Sequence, residues 1–200
     1  MAGAVFAVIG LVLMLLSASA PIEAVAFAIF GGTMFLMYTA STLYHMISIS
    51  DAITLALRKF DHIMIYLFIA GTFTPFTLLI IDDPVIKWTF FGLIWGIAIT
   101  GTFFKLFWLH APNWLSLTMY LGMGWLGLLV LPYTFSSLSA AAGGWIIAGG
   151  LFYTIGAVVY GSKRPNPWPG TFGFHEIWHL FVMAGSFSHF WVIYRYLPIS

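Results

Sequence analysis

Between Lys105 and Lys163 the chain carries no Asp, Glu, Lys or Arg, and the stretches on either side are almost as bare. Runs of this kind leave too little polar surface to coat a globular protein in water. Only 6% of the 200 residues are charged, against roughly 25% in a soluble domain. The solvent they suit is a bilayer, where every backbone polar group must be satisfied within its own segment or in a closed barrel. The apolar runs are continuous and not alternating, so the expected fold class is all-α, an integral membrane bundle.

A helix needs about 20 mostly apolar residues to cross a hydrocarbon core of about 30 Å. On that scale the runs at 3–20, 24–47, 61–81, 85–107, 113–132, 142–161 and 174–196 give seven transmembrane helices in a single domain over 1–200. The fifth and sixth are separated only by "LPYTFSSLSAAAGG", where Pro132, a serine run and paired glycines punctuate helices. The first ends in "SASAP", an A-x-A-like cleavage site, but residues 1–10 lack the positive n-region of a signal peptide, so it is read as a span.

The basic residues set the orientation. With the N-terminus cytoplasmic, the loops after spans two, four and six hold Arg58, Lys59, Lys105, Lys163 and Arg164, while the far side has only Lys87 and Arg195. The positive-inside rule then expects the N-terminus in the cytoplasm and the C-terminus outside. This topology brings the end of span two, the start of span three and the start of span seven to one side of the membrane. Ser41, His45, Asp61, His175 and His179 are expected at similar depth there.

The absence of cysteine removes disulfides, thiolate metal sites and a cysteine nucleophile. Any metal must be held by His, Asp or Glu. His175 and His179 are four residues apart, as are Ser41 and His45, so each pair shares one helix face. Two imidazoles on one face can grip a single ion, and catalytic Zn²⁺ usually takes three protein ligands plus water, which makes His45 the natural third. Taken singly, each residue has a plainer role: His45 as an interhelical hydrogen-bonding group, Asp61 as an N-cap, Ser41 bonded to its own helix backbone. His110 falls in the loop "LHAPN"; His62 is turned about 100° from Asp61; and His189 lies too far along its helix to share the ion, but within reach of a polar contact with Ser186.

The segments "STLYH", "RKFDHIMIYLFIAGTFTPF" and "HEIWH", in this order along a seven-helix chain, resemble the haemolysin III family of the progestin and adipoQ receptor superfamily, which includes the adiponectin receptors. The resemblance implies Zn²⁺ on His45, His175 and His179, with Asp61 holding or activating the water at the metal and Ser41 close by. It also implies the N-in, C-out topology counted above, and a bacterial inner membrane. Relatives carry a polar lead-in where this sequence opens "MAGAVFAVIG"; the metal positions are unaffected.

"HEIWH" also reads as H-E-x-x-H, the zinc-peptidase signature, in which Glu176 would be the general base. The resemblance needs only its two histidines and leaves Glu176 incidental or supporting. Zinc chemistry with Asp61 as proton carrier suits ceramidase-like hydrolysis of a lipid amide or ester. A non-catalytic, receptor-like protein with a structural zinc is the alternative, and a pore-forming cytolysin lacks the charge rings of an ion pathway. The expected partners are membrane lipids, one of them the substrate; a net charge of +1 gives nucleic acid no footprint. "GLIWG" at Gly92–Gly96 permits close helix contact, hence a dimer. Pro75 is expected to kink span three. Trp88, Trp108, Trp114 and Tyr194 fit an interfacial belt.

Overall fold

A computed structural model describes residues 1–47 and 49–197. Among these the regular structure is helical, and one isolated bridge between Trp168 and Phe172 is the only extended pairing. The described residues form two compact units, Met1–Ala111 with 193–197, and Pro112–Val192.

The first unit holds α1 (Ala2–Ser17), α2 (Pro21–Met46), α3 (Asp51–Ile80) and α4 (Pro84–Phe107). Each packs on the next in sequence, as short connections dictate for antiparallel neighbours. The helix starts carry their own signals. Pro21 and Pro84 occupy first turns, where a missing N–H costs nothing. Asp83 accepts from the Val85 and Ile86 amides at 2.8 and 3.0 Å, and buried Glu23 accepts from the Ser19 amide and hydroxyl at 2.8 and 2.9 Å. Free N–H groups at these ends are thereby satisfied.

α3 departs from expectation. It begins at Asp51, ten residues before the expected span at 61–81, with Ser50 as its N-cap accepting from the Ile53 amide at 3.4 Å. "DAITLALRKF" is rich in good helix formers, and its charges had made it read as a loop. From Ala70 to Leu78 every residue of α3 is buried. There the helix runs on through Pro75 to Ile80, while Thr72, Thr74 and Thr77 donate back to the Phe68, Ala70 and Phe73 carbonyls at 2.8, 2.9 and 3.1 Å. Thr74 also accepts from Trp95 Nε1 at 3.1 Å, tying α3 to α4. Close approach depends on missing side chains: a Cβ on Gly101 would enter the ring of fully buried Tyr66, and one on Gly71 would strike Thr33.

The second unit holds α5 (Asn113–Trp125), a 3₁₀ turn (Leu126–Leu129), α6 (Leu131–Ser137), α7 (Ala140–Ser162) and α8 (Phe174–Tyr196) up to Val192. Pro132 does not close the fifth span as expected. It sits in the first turn of α6, which continues to Ser137, and the break falls earlier, with a bend of 40° between Trp114–Leu129 and Leu131–Ser137. α7 packs against α5 and α6, and Gly156 of α7 lies against Trp178 and Phe181 of α8.

Among the described residues, five helices are long and apolar enough to cross a membrane, or six if the bent pair is one span. The expected first span corresponds to α1, a shorter apolar helix of 16 residues. Large apolar side chains face outward, including Leu16 at 79% and Phe107 at 86% exposure, a surface that only lipid or another apolar partner can cover. Trp88, Trp108 and Trp114 are also exposed, as a belt at the interface requires.

Candidate metal centre

In the first unit, packing of α2 on α3 brings two of the expected residues together. Ser41 is buried, and its hydroxyl donates to the Asp61 carboxylate. The plainer role of Asp61 does not hold, since it lies about three turns into α3 and caps nothing. The Asp61 side chain is 17% exposed, and its Oδ2 lies 3.6 Å from His62 Nδ1. That nitrogen is 2.8 Å from the Arg58 carbonyl, so it carries the proton and donates. His45 lies one turn beyond Ser41, in the last turn of α2. Its ring is exposed and 4.9 Å from that of Tyr44.

In the second unit, His175 and His179 are half-buried on successive turns of α8, with their Nε2 atoms 3.0 Å apart. Tyr160 of α7 braces them, its ring 5.7 Å from His175 and 5.8 Å from Trp178. Sequence reasoning misses that support, since no spacing ties Tyr160 to the histidines. Glu176 has a different task. The Ile177 amide bonds the Gly173 carbonyl at 3.0 Å, and the Gly173 amide donates to Glu176 Oε2 at 2.7 Å. Glu176 thus occupies the third helical position and reaches back to the N-cap, half of a capping box.

The remaining histidines stand apart. His110 lies in an exposed turn. His189 is buried, donates from Nδ1 to the Gly185 carbonyl at 2.9 Å and stacks on Tyr153 at 5.7 Å. Tyr153 also reaches Ser186, its hydroxyl 3.1 Å from Ser186 Oγ.

Two imidazole nitrogens 3.0 Å apart fit one small cation well. Ligands about 2.0–2.1 Å from a tetrahedral Zn²⁺ stand roughly 3.3 Å from each other. The donors are neutral nitrogens, suited to zinc and its neighbours and not to calcium or magnesium.

The sequence pattern described as Haemolysin-III related matches residues 1–190. The chain is 35% identical to "Hemolysin-3" of Bacillus cereus over 203 aligned positions, covering 99% of this chain and 89% of that protein. It is 36% identical to the "Hemolysin-3 homolog" of Bacillus subtilis (strain 168) over 174 positions, covering 87% and 78%. A shorter segment of 61 residues is 41% identical to the "Adiponectin receptor protein" of Drosophila melanogaster, covering 28% of this chain and 14% of that one. The five or six helices long and apolar enough to cross among the described residues, together with bacterial relatives of nearly full length, make this an integral, multi-pass protein of a bacterial inner membrane. With its "STLYH" and "HEIWH" segments intact and the match running over almost its whole length, the chain belongs to the haemolysin III family, within the progestin and adipoQ receptor superfamily.

Proposed function

We propose that this is a seven-span, single-domain zinc protein that hydrolyses an amide or ester bond in a membrane lipid. In this reading α1 and the bent α5–α6 pair each cross the membrane, the N-terminus is cytoplasmic and the C-terminus outside, as the charge distribution favours. His45, His175 and His179 form the ligand set. The observation that carries the proposal is the convergence of the His175 and His179 Nε2 atoms at 3.0 Å, which pre-forms two-thirds of a three-histidine site.

When bound there, zinc supplies a Lewis acid that polarises a carbonyl and lowers the pKa of water to about 7. The chain's residues do the rest. Ser41 holds the Asp61 carboxylate by donating to it, so that Asp61 is oriented to accept a proton from the attacking water and return it to the leaving group. Tyr160 keeps the His175 ring in place. Lipid acyl chains reach the site through the apolar surface between helices.

Metal content of the detergent-purified protein tests the ligand set. About one zinc per chain is expected for the wild type, and clearly less for His45→Ala, His175→Ala and His179→Ala; a wild type without metal overturns the proposal. Asp61→Ala separates catalysis from a structural zinc: retained metal with lost lipid turnover supports hydrolysis, whereas unchanged function leaves a receptor-like protein clamped by its metal. A peptidase would need Glu176 as its base, whereas one oxygen of that carboxylate caps α8 by accepting from the Gly173 amide.

A further inference from the structure

The loop that leads into α8 borders an open cleft of about 260 Å³, lined by Asn166, Thr171, Phe174, His175 and exposed Glu176 with the backbone of two glycines. The loop has a defined shape. Lys163 ends α7 in the left-handed region, Gly170 takes a φ of 84°, and Trp168 and Phe172 pair at 2.9 and 3.0 Å. Its polar groups carry a pattern of charge. Glu176 is the one carboxylate in the lining, and no Lys or Arg is among the lining residues. Exposed Lys163 and Arg164 precede Asn166 by only three and two residues, which keeps Arg164 within about 7 Å along the chain.

Such a site complements a zwitterion: a cation beside the carboxylate, an anion beside the basic pair. We infer that this cleft holds the phosphate and primary ammonium of an aminoalkyl phospholipid headgroup, with Glu176 on the ammonium and Lys163 and Arg164 on the phosphate. The volume is below that of a site for a drug-sized molecule, so it suits a headgroup and leaves the acyl chains to the bilayer. Because His175 lines the cleft, a lipid seated there has its polar end beside the metal ligands. In that respect the inference rests on the proposed hydrolysis and names the substrate class.

Native mass spectrometry of the purified protein with equal amounts of phosphatidylethanolamine, phosphatidylcholine and phosphatidylglycerol of matched acyl chains tests it. The choline headgroup has no N–H to give a carboxylate, and the glycerol headgroup has no cation. The wild type is expected to retain the ethanolamine lipid about tenfold over the other two, the scale of one charge-assisted hydrogen bond. Glu176→Gln, which can still accept the Gly173 amide as glutamine does in a capping box, should abolish the preference while keeping the wild-type metal content. A joint Lys163→Ala and Arg164→Ala variant should weaken all three lipids and keep their ratio. Equal retention by the wild type, or an undiminished preference in Glu176→Gln, overturns the inference. Free phosphoethanolamine bound as tightly as the lipid would overturn its assignment to a membrane lipid. Metal content measured in the same samples keeps the two proposals apart: a preference without metal removes the zinc site alone, and metal without a preference removes the headgroup site alone.

Discussion

At the scale of single residues, Ser41 separates what spacing reveals from what it hides. The i,i+4 relation to His45 placed Ser41 on the right face of α2, but nothing in the spacing showed that its hydroxyl turns to Asp61, because a contact between helices leaves no period in the sequence. Ser41→Ala should leave metal content unchanged and slow lipid hydrolysis about tenfold, as expected for loss of a hydrogen bond to a charged group. Loss of metal from this variant would instead make Ser41 a support of the ligand set. Glu176 was legible in another way. A glutamate at the third helical position after a glycine is a capping signal, yet the zinc-peptidase signature that encloses it in "HEIWH" points to a different chemistry. Tyr160 and Tyr153 left no signal at all, since their importance lies in the rings they meet on α8.

Among the helices, the apolar cores of the spans were read closely, and errors fell at the ends. Charges in "DAITLALRKF" concealed the first turns of α3, because a helix that leaves the hydrocarbon needs no apolar run to continue. In the sequence Pro132 reads as a stop although it is equally suited to a first turn, and the 3₁₀ turn before it makes the difference. Contacts between helices divide the glycines in the same way. Gly101 faces Tyr66, whereas Gly96 has nothing within 4 Å of where a Cβ would stand. Gly101→Val should therefore destabilise the detergent-solubilised protein by about 1–3 kcal/mol through overpacking, visible as a lower melting temperature. Gly96→Ala should be neutral or slightly stabilising, in keeping with the better helix propensity of alanine. A loss of stability at Gly96 would instead place a second chain on that face.

For the whole molecule, the all-helical membrane fold could be read from charge-free runs, while the arrangement of the spans across the bilayer depends on a handful of basic residues. The absence of cysteine makes this directly measurable, since any cysteine introduced is the only one. A membrane-impermeant thiol reagent applied to intact cells should label Asp82→Cys, in the exposed connection between α3 and α4, and spare Arg164→Cys until the membrane is opened. The reverse pattern would invert the proposed topology and put the histidines on the outer side.

The centre of α3 has a further consequence, in electrical terms. Its hydroxyls between Phe68 and Leu78 give their hydrogens to their own backbone, and every side chain from Ala70 to Leu78 is shut away from solvent. A proton travelling along this helix finds no mobile donor to hop from, so the stretch acts as an insulator in series with Asp61. In the proposed hydrolysis, protons passing through Asp61 would therefore be exchanged with the side of the membrane on which Asp61 lies.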